Sequence, residues 1–344
     1  MDTRIILANV DMPSGKYPCY TFGGMYRDCY DVKFARKVAA AIGQTHQTLT
    51  VDHSFLNSFP EYAEKTIYIS DGYFDVSGSP ELYVNKLARD IAPIRMTGNL
   101  GGEILRNLSW QMNNQLHGKH FSMDFKKTNN KITETIARVK QDIDNSLSFQ
   151  LFITNPYLET CRFSIAQSQL TMRSPYTDND LVQLMYRAPI GVQDNKELSL
   201  RLIKVGNPAL GKIITDRGLG GDLPYSMSKL AQLYYEFLVK AEYAYNYGMP
   251  QWLALFDYTL KFMHFEKLFL GRHKFYHFRL WYRDELSDYV KAILLDDRTL
   301  NRPYLNRNIV EDFVKGHTKG YRNYTTEITQ LLTLELIQRL FIEK

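Results

Sequence analysis

Short apolar segments and amphipathic stretches alternate along the first hundred residues. Segments rich in apolar and β-branched residues at 17–22, 46–51 and 94–97 predict strands. Residues 31–42 predict an amphipathic helix, and Gly43 follows them as a stop signal. Further helices are predicted at residues 2–9, 61–69 and 81–91. Strands that alternate with helices indicate an α/β fold with a doubly wound parallel sheet.

The pattern changes near residue 104, after which helical periodicity dominates. Helices are predicted at residues 132–147, 179–187, 229–247, 253–270, 283–295, 309–315 and 326–342. The last of them carries a broad apolar face that must pack against another element. No low-complexity linker separates the two parts. The sequence therefore predicts an α/β part over residues 1–103 and a mostly helical part over residues 104–344, both packed on one core.

Composition limits the class of protein. Hydrophobic residues make up 44% and charged residues 23% of the 344 residues, which is typical of a globular protein and not of a disordered one. No segment predicts a membrane span or a signal peptide. Three scattered cysteines without a CxxC motif suit a reducing cytoplasm, so we predict a cytoplasmic protein. The net charge of +5 permits phosphate ligands but does not require nucleic acid.

Two loops are candidate ligand sites, because ligands of doubly wound sheets bind at the carboxyl ends of the strands. One loop surrounds Asp2 and Thr3, and the other is the glycine-rich segment 98–103, directly after a predicted strand. A glycine-rich loop lets backbone amides approach phosphate groups, and Glu103 could hold Mg²⁺ or polarise a nucleophile. Glycines in strand-to-helix turns also serve packing alone, so both interpretations stay open.

Several segments, taken in order, resemble the synthetase domain of the asparagine synthase family. Residues 2–8 resemble the segment that follows the family's Ser-Gly-Gly motif, and residues 20–23 are similar to its second strand. The other similar blocks are D-x3-A-R-x-V-A-x3-G-x2-H at 31–46, the L-T-G-D-G-G-D-E loop at 96–103, R-x-P-F-x-D at 173–178, and the closing h-x2-G-x3-n…L-x-L-E signature at 316–335. Together they span nearly the whole chain.

The resemblance implies an α/β pyrophosphate-loop ATPase of the adenine nucleotide α-hydrolase type. Such a domain uses ATP and Mg²⁺ to activate a carboxylate as an acyl-adenylate, and ammonia or an amine then attacks. The implied function is an asparagine synthase-like carbon-nitrogen ligase acting on aspartate or another carboxylate. The family's glutamine-hydrolysing domain is missing, so the nitrogen would come from free ammonia, a separate amidotransferase or another amine.

The resemblance also implies roles for individual residues. Asp2 would be the metal-linked carboxylate, and Thr3 would supply a loop hydroxyl. The adenine would lie against Thr21, Phe22 and Gly23. The second loop would contribute Gly98, Gly101 and Glu103. The family's pyrophosphate-contacting lysine has no clear match, and Arg217 or Lys212 lies in roughly its place.

The sequence also departs from the family pattern. The Ser-Gly-Gly motif and the strand before it are missing, so the chain appears here as a truncated member with two exposed sheet edges that favour association. The family's second metal acid falls on Gly102, which has no side chain, and the third loop position is Asn99. The glutamate before R-x-P-F is Thr171. These departures favour an alternative, a catalytically inactive relative that binds a partner.

Three further features each have a functional and a structural interpretation. His273 and His277 have the i, i+4 spacing of zinc ligands on a helix, but only His264 or Asp284 is a third candidate nearby, so structural histidines are expected. Residues 261–283 interleave basic and aromatic residues, as in nucleic-acid surfaces, and we favour core packing of the rings. The glycine-rich loop 218–221 could approach a phosphate, but we expect a mobile connector.

Overall fold

The computed structural model describes residues 1–106, 145–189, 196–222 and 224–343, with residues 108, 121, 131, 134–135, 137–139, 141, 143 and 191–192 between them. The strands are β1 Cys19–Gly24, β2 His46–Val51, β3 Ile94–Met96 and β4 Thr171–Arg173. The helices are α1 Asp2–Asn9, α2 Tyr30–Ala41, α3 His53–Asn57, α4 Phe59–Ile69, α5 Ser79–Ile91, α6 Gly101–Arg106, α7 Ser146–Phe149, α8 Thr160–Gln167, α9 Asn179–Tyr186, α10 Glu197–Gly206, α11 Pro208–Gly211, α12 Tyr225–Tyr243, α13 Gln251–Thr259, α14 Glu266–Phe269, α15 Phe278–Arg283, α16 Ser287–Leu294, α17 Asp297–Leu300, α18 Arg307–Lys319 and α19 Thr325–Ile337. Wider π-helical turns span Gln150–Glu159, Ala244–Gly248 and Gln338–Ile342.

The described strands form two parallel pairs. β1 pairs with β2 from Cys19 opposite His46 to Gly24 opposite Val51. β3 pairs with β4, with Ile94 opposite Thr171. In these residues each pair is a separate two-stranded sheet. The fold is therefore mixed α/β with short parallel strands, as the alternation of segments predicts.

Helices make the crossovers that parallel strands require. α2 joins β1 to β2 and packs on both strands, and α5 packs on β2 before the chain enters β3. α2 ends as predicted at Gly43, which has a left-handed φ of 68°. Its first turn carries Asp31, a position favourable for a carboxylate at the positive end of the helix dipole.

The two strand pairs lie side by side, with one arginine reaching across the gap. Arg95 on β3 brings its Nη1 atom to 3.4 Å from the Tyr20 hydroxyl on β1. Its guanidinium also lies 5.9 Å from the ring centroid of Phe22. The Arg95 side chain on β3 therefore contacts side chains of β1 between the two strand pairs.

The largest apolar core joins the first part of the chain to its end. Phe55 packs against Trp281 with ring centroids 5.8 Å apart, and Phe59 packs against Phe278 at 6.0 Å. The broad apolar face predicted for the last helix is buried in the same core, through Ile328, Leu331, Leu332 and Leu336. A second core of buried side chains from α1, α6 and α10 includes Ile5, Ile104 and Ile203.

The predicted helix at 253–270 is divided in the structure. It gives α13 and the short α14, because His264 between them adopts a left-handed φ of 51°. Much of the predicted helix 132–147 lies outside the described residues, but residues 134–135, 137–139 and 141 are described and are helical. Within the described part of the chain, no helix combines the length and the apolar character needed to cross a bilayer.

Candidate functional site

A cavity of about 500 Å³ opens between the two strand pairs. It is bordered by β1, β3, the loop after β3 and the first turn of α1. Four of the residues that the sequence marks for nucleotide or metal binding line it, namely Asp2, Phe22, Gly98 and Glu103. The cavity also meets three arginines, Arg95, Arg106 and Arg162. Sequence-distant segments therefore converge on one concave site.

The glycines of the loop after β3 let it lie directly on the start of α1. A Cβ atom on Gly98 would overlap the backbone nitrogen of Thr3. A Cβ atom on Gly101 would come to 2.8 Å from the Cβ of Asp2. Both positions therefore need glycine because backbone and side chains approach too closely for any other residue.

Leu100 in the same loop has a conformation that glycine normally adopts. Its φ is 69°, in the left-handed region that costs an L-residue about 1–2 kcal/mol. The side chain packs partly buried against the second core. The corresponding position of the L-T-G-D-G-G-D-E pattern is a glycine, which adopts this conformation without the steric cost.

The block at 173–178 fastens the loop and α1 together. The Ser174 hydroxyl donates to the carbonyl oxygen of Asn99 at 2.6 Å. The Tyr176 hydroxyl donates to the carbonyl oxygen of Asp2 at 2.7 Å, and its ring is buried. Three of the segments that carry the family resemblance thus form one hydrogen-bonded unit at the edge of the cavity.

Asp2 is held by an arginine. Arg106 donates to both of its carboxylate oxygens, at 2.5 and 2.9 Å, and donates a third bond to the Ser199 hydroxyl at 3.0 Å. The Arg106 side chain is only 8% exposed and that of Asp2 22%. Bidentate pairs of this kind are strong. A metal ion could take Asp2 as a ligand only after displacing Arg106.

Arg95 is bonded differently. It donates to the side-chain oxygen of Asn85 at 2.7 Å, and in the described residues it forms no ion pair with a carboxylate. Its Nε atom is buried without a hydrogen-bond partner there. By contrast, Glu81 and Glu159 lie 3.6 and 4.0 Å from Arg162. Burial raises the pKa of the Glu159 carboxyl above its usual value. Arg95 is therefore the cation best able to meet an anionic ligand in the cavity.

The other predicted residues lie away from the cavity lining. The Thr21 hydroxyl is bonded to Nε2 of His46 at 3.0 Å, on the β2 side of the strand. Gly23 allows close strand pairing, since a Cβ there would lie 2.6 Å from a methyl group of Thr48. Thr3 contacts the loop at Gly98, and Gly101 lies against Asp2 and Tyr176. Arg217 lies 3.6 Å from Asp216, in a different group of side chains.

The buried histidines have structural surroundings. The residues between His273 and His277 are not helical, so the two imidazoles do not share a helix face. His277 is 1% exposed, its Nδ1 lies 3.3 Å from the Asn246 amide, and burial lowers its pKa to about 3. His317 in the closing signature is bonded at both nitrogens, to the Arg279 carbonyl and the Tyr324 amide.

The basic and aromatic stretch 261–283 contributes rings mainly to the core. Phe278, Trp281 and Tyr282 are fully buried, whereas Phe262 is 75% exposed. The buried rings cannot stack on bases without unfolding α15. Core packing of these rings thus holds as predicted.

The glycine-rich loop 218–221 forms a tight turn with the residues before it. The Thr215 hydroxyl accepts hydrogen bonds from the backbone amides of Arg217 at 3.3 Å and Leu219 at 3.0 Å. Gly218, Gly220 and Gly221 all have left-handed φ angles. These bonds close the turn, which presents Asp216 and Arg217.

No protein-family model matches the chain, and no curated protein has a significantly similar sequence.

Proposed function

We propose that this protein is an asparagine synthase-like, ATP-dependent carbon-nitrogen ligase. One observation carries the proposal. Four of the six segments that resemble the family, at 2–8, 20–23, 96–103 and 172–178, meet around a single cavity, whereas those at 31–46 and 316–335 do not line it. A chance likeness in separate segments gives no reason for them to converge.

The cavity suits a nucleotide in size and chemistry. Its volume of about 500 Å³ is within the usual range for small-molecule sites. Phe22 offers an aromatic face for a base, and the Gly98 loop offers close backbone approach for phosphates. Arg95 supplies a positive charge without an opposing carboxylate in the described residues. We assign adenine contact to Phe22 and phosphate contact to Arg95 and the loop.

For Mg²⁺ the fit is weaker. Of the acids that line the cavity, Asp2 is bound by Arg106, and the second metal position of the family pattern is Gly102. Glu103 is the remaining loop acid. Magnesium would reach the site chiefly on the phosphates of ATP, as it often does in nucleotide sites.

The two strand pairs support a finer proposal about the fold. We infer that they are the two halves of one doubly wound sheet, with β1 and β3 on either side of the position taken in the family by the strand before Ser-Gly-Gly. In favour of this inference, both pairs are parallel and the Arg95 side chain on β3 contacts the Tyr20 hydroxyl on β1. The glycine loop after β3 would then be the second loop of a pyrophosphate-loop site.

The substrate would be aspartate or another carboxylate. Nitrogen would come from ammonia, a separate amidotransferase or another amine, in the cytoplasm. A second candidate function has specific support. The Asp2–Arg106 ion pair and Gly102 remove metal-binding capacity, which favours an inactive relative that binds nucleotide or a partner without turnover.

The test combines binding with turnover. Calorimetry with Mg-ATP measures binding, and exchange of labelled pyrophosphate into ATP, with aspartate and other carboxylates, measures adenylation. We expect binding by the natural chain, weaker binding by Arg95→Gln, and unchanged binding by the exposed control Arg89→Gln. Exchange should be lost in Asp2→Asn.

Each outcome has a distinct meaning. Binding with exchange supports the ligase. Binding without exchange for any carboxylate supports the inactive relative. Failure to bind ATP by a folded protein overturns the ligase and the nucleotide-binding relative.

A further inference from the structure

A second group of polar side chains lies outside the cavity, where three distant segments meet. Asp31 in the first turn of α2, Asp216 in the turn held by Thr215, and His273 in the loop before α15 each direct one ligand atom to a common point. These atoms all lie within 4.8 Å of one another. None of the three residues lines the cavity between the strand pairs.

The backbone around His273 is fixed by a buried carboxylate. Glu242 is 1% exposed and accepts hydrogen bonds from the amides of Gly271 at 2.8 Å, His273 at 2.6 Å and Lys274 at 3.2 Å. The amide of Tyr30 donates to the carbonyl of Arg272 at 2.7 Å, which joins this loop to the start of α2. Asp31 and His273 are therefore held next to each other by main-chain bonds.

Asp216 is positioned independently of the other two. Its turn is closed by the Thr215 hydroxyl, and Thr215 itself is buried. Just before the turn, the Arg4 guanidinium donates to the carbonyl oxygens of Ile213 and Ile214. The turn is thereby anchored on α1, and Asp216 faces the start of α2.

Asp216 lies 3.6 Å from Arg217, whereas Asp31 and His273 form no ion pair in the part of the chain that the structure describes. Nδ1 of His273 is buried and has no hydrogen-bond partner among the described residues. Burial, and then the charge of Arg217, lowers the pKa of His273, which keeps the imidazole in the neutral form that binds metals. Burial and the neighbouring Asp216 raise the pKa of the Asp31 carboxyl to about 7. Arg217, Lys274 and the Met1 amino group act in the opposite direction on Asp31.

We propose that Asp31, Asp216 and His273 form a binding site for a divalent transition-metal ion, of which Zn²⁺ and Mn²⁺ are the expected occupants. One imidazole nitrogen and two carboxylate oxygens are a ligand set suited to these ions, and two carboxylates balance a double positive charge. Ligands at the usual zinc distances of about 2.0–2.2 Å lie roughly 3.3 Å apart, so side-chain rotation would draw the three atoms together. Mg²⁺ should bind more weakly, because it prefers an all-oxygen shell.

Calorimetry of the metal-free protein with ZnCl₂, MnCl₂ and MgCl₂ tests the proposal. We expect one Zn²⁺ or Mn²⁺ per chain, and at least tenfold weaker binding for His273→Gln and for Asp216→Asn. The matched controls His53→Gln and Asp90→Asn change exposed residues of the same types and should bind like the natural chain. Both test variants keep the main-chain bonds described above, and circular dichroism checks that they are folded.

A third variant addresses Asp31. Asp31→Asn removes one of the three proposed ligands, so calorimetry should show at least tenfold weaker Zn²⁺ or Mn²⁺ binding than in the natural chain. Affinities that agree within twofold for His273→Gln and His53→Gln, both folded, would overturn the site. So would the absence of saturable Zn²⁺ or Mn²⁺ binding by the natural chain.

Discussion

The cavity and the Asp31–Asp216–His273 group treat their acidic residues in opposite ways. In the cavity, Asp2 is bonded to Arg106 through both oxygens, and Glu81 and Glu159 lie near Arg162. In the second group, Asp216 lies 3.6 Å from Arg217, but burial and a like charge act on Asp31, which forms no ion pair in the described residues. A carboxylate held by a bidentate arginine, like Asp2, helps to keep the shape of its site. A carboxylate beside a like charge, like Asp31, gains most from an added cation.

The largest expected effect on stability comes from breaking the Asp2–Arg106 ion pair beside the cavity. Arg106→Gln leaves the Asp2 carboxylate without its partner, and removing one member of a buried pair costs about 3–5 kcal/mol. Because Asp2 is 22% exposed, we expect a loss nearer 2–3 kcal/mol in the free energy of unfolding, measured with urea. The double variant Asp2→Asn, Arg106→Gln should recover part of the loss.

The exposed pair Arg36–Asp28 is the control for that comparison. Its side chains are 54% and 43% exposed, so Arg36→Gln should change the free energy of unfolding by less than about 1 kcal/mol. Equal effects at Arg36 and Arg106 would mean that the cavity pair contributes no more than a surface one.

The second prediction concerns the effect of pH on Asp31 in the Asp31–Asp216–His273 group. A raised carboxyl pKa means that the folded state binds a proton more tightly than the unfolded state, so the stabilisation is present at low pH and lost as pH rises. For Asp31 the free energy of unfolding should decrease between about pH 4 and pH 7. At pH 8 Asp31→Asn should therefore be more stable than the natural chain, by about 1–2 kcal/mol. Zinc should reverse that order, since only the natural chain keeps the full ligand set.

Urea unfolding at pH 5 and pH 8, with and without ZnCl₂, makes the measurement. The matched variant Asp90→Asn changes an exposed carboxylate and should show no such crossover. A natural chain that is more stable than Asp31→Asn at pH 8 without metal would contradict the assigned sign.

The third prediction compares the cations of the cavity. Arg95→Gln removes the arginine that has no carboxylate partner in the described residues, so ATP affinity should decrease about tenfold, equivalent to about 1.4 kcal/mol. The variant also removes the hydrogen bond to the buried Asn85 side chain, so urea unfolding checks that it remains folded. Arg162→Gln, which removes a cation lying near two glutamates, should weaken binding less. Calorimetry with Mg-ATP gives both values.

Local signals in the sequence predicted much of the fold and part of the cavity. The β2 boundaries match the apolar segment at 46–51, and the glycines of the 98–103 loop mark a close backbone approach that only glycine permits. Strand pairing is harder to predict from the sequence, because β3 and β4 have three residues each and lie far apart in the chain. The existence of two separate pairs therefore emerges only in three dimensions.

The predictions about charged partners show where sequence reasoning stops. The metal role predicted for Asp2 rested on a motif, and nothing near that motif marks Arg106 as its partner. For His273 the search for ligands covered only nearby residues, His264 and Asp284, whereas the structure brings Asp31 and Asp216. Spacing along a chain can reveal ligands on one helix or loop, but not ligands from three separate segments.

The smallest expected effect concerns the Leu100 backbone. Gly is normally less favourable than Ala by about 0.5–1 kcal/mol, because it loses more conformational entropy on folding. At Leu100 that order should be reversed. Leu100→Ala and Leu100→Gly lose the same packing against the second core, but only glycine relieves the left-handed φ of 69°. Since that conformation costs an L-residue about 1–2 kcal/mol, Leu100→Gly should be more stable than Leu100→Ala by up to about 1 kcal/mol in urea unfolding.

Comparing two substitutions at one position removes the packing loss from the difference, so the measurement isolates the backbone. The pair Leu202→Ala and Leu202→Gly, inside α10 and against the same core, should keep the usual order with alanine the more stable. If glycine is the less stable replacement at both positions, the loop after β3 does not hold Leu100 in a strained conformation. One of the supports for a phosphate-binding loop beside the cavity would then be lost.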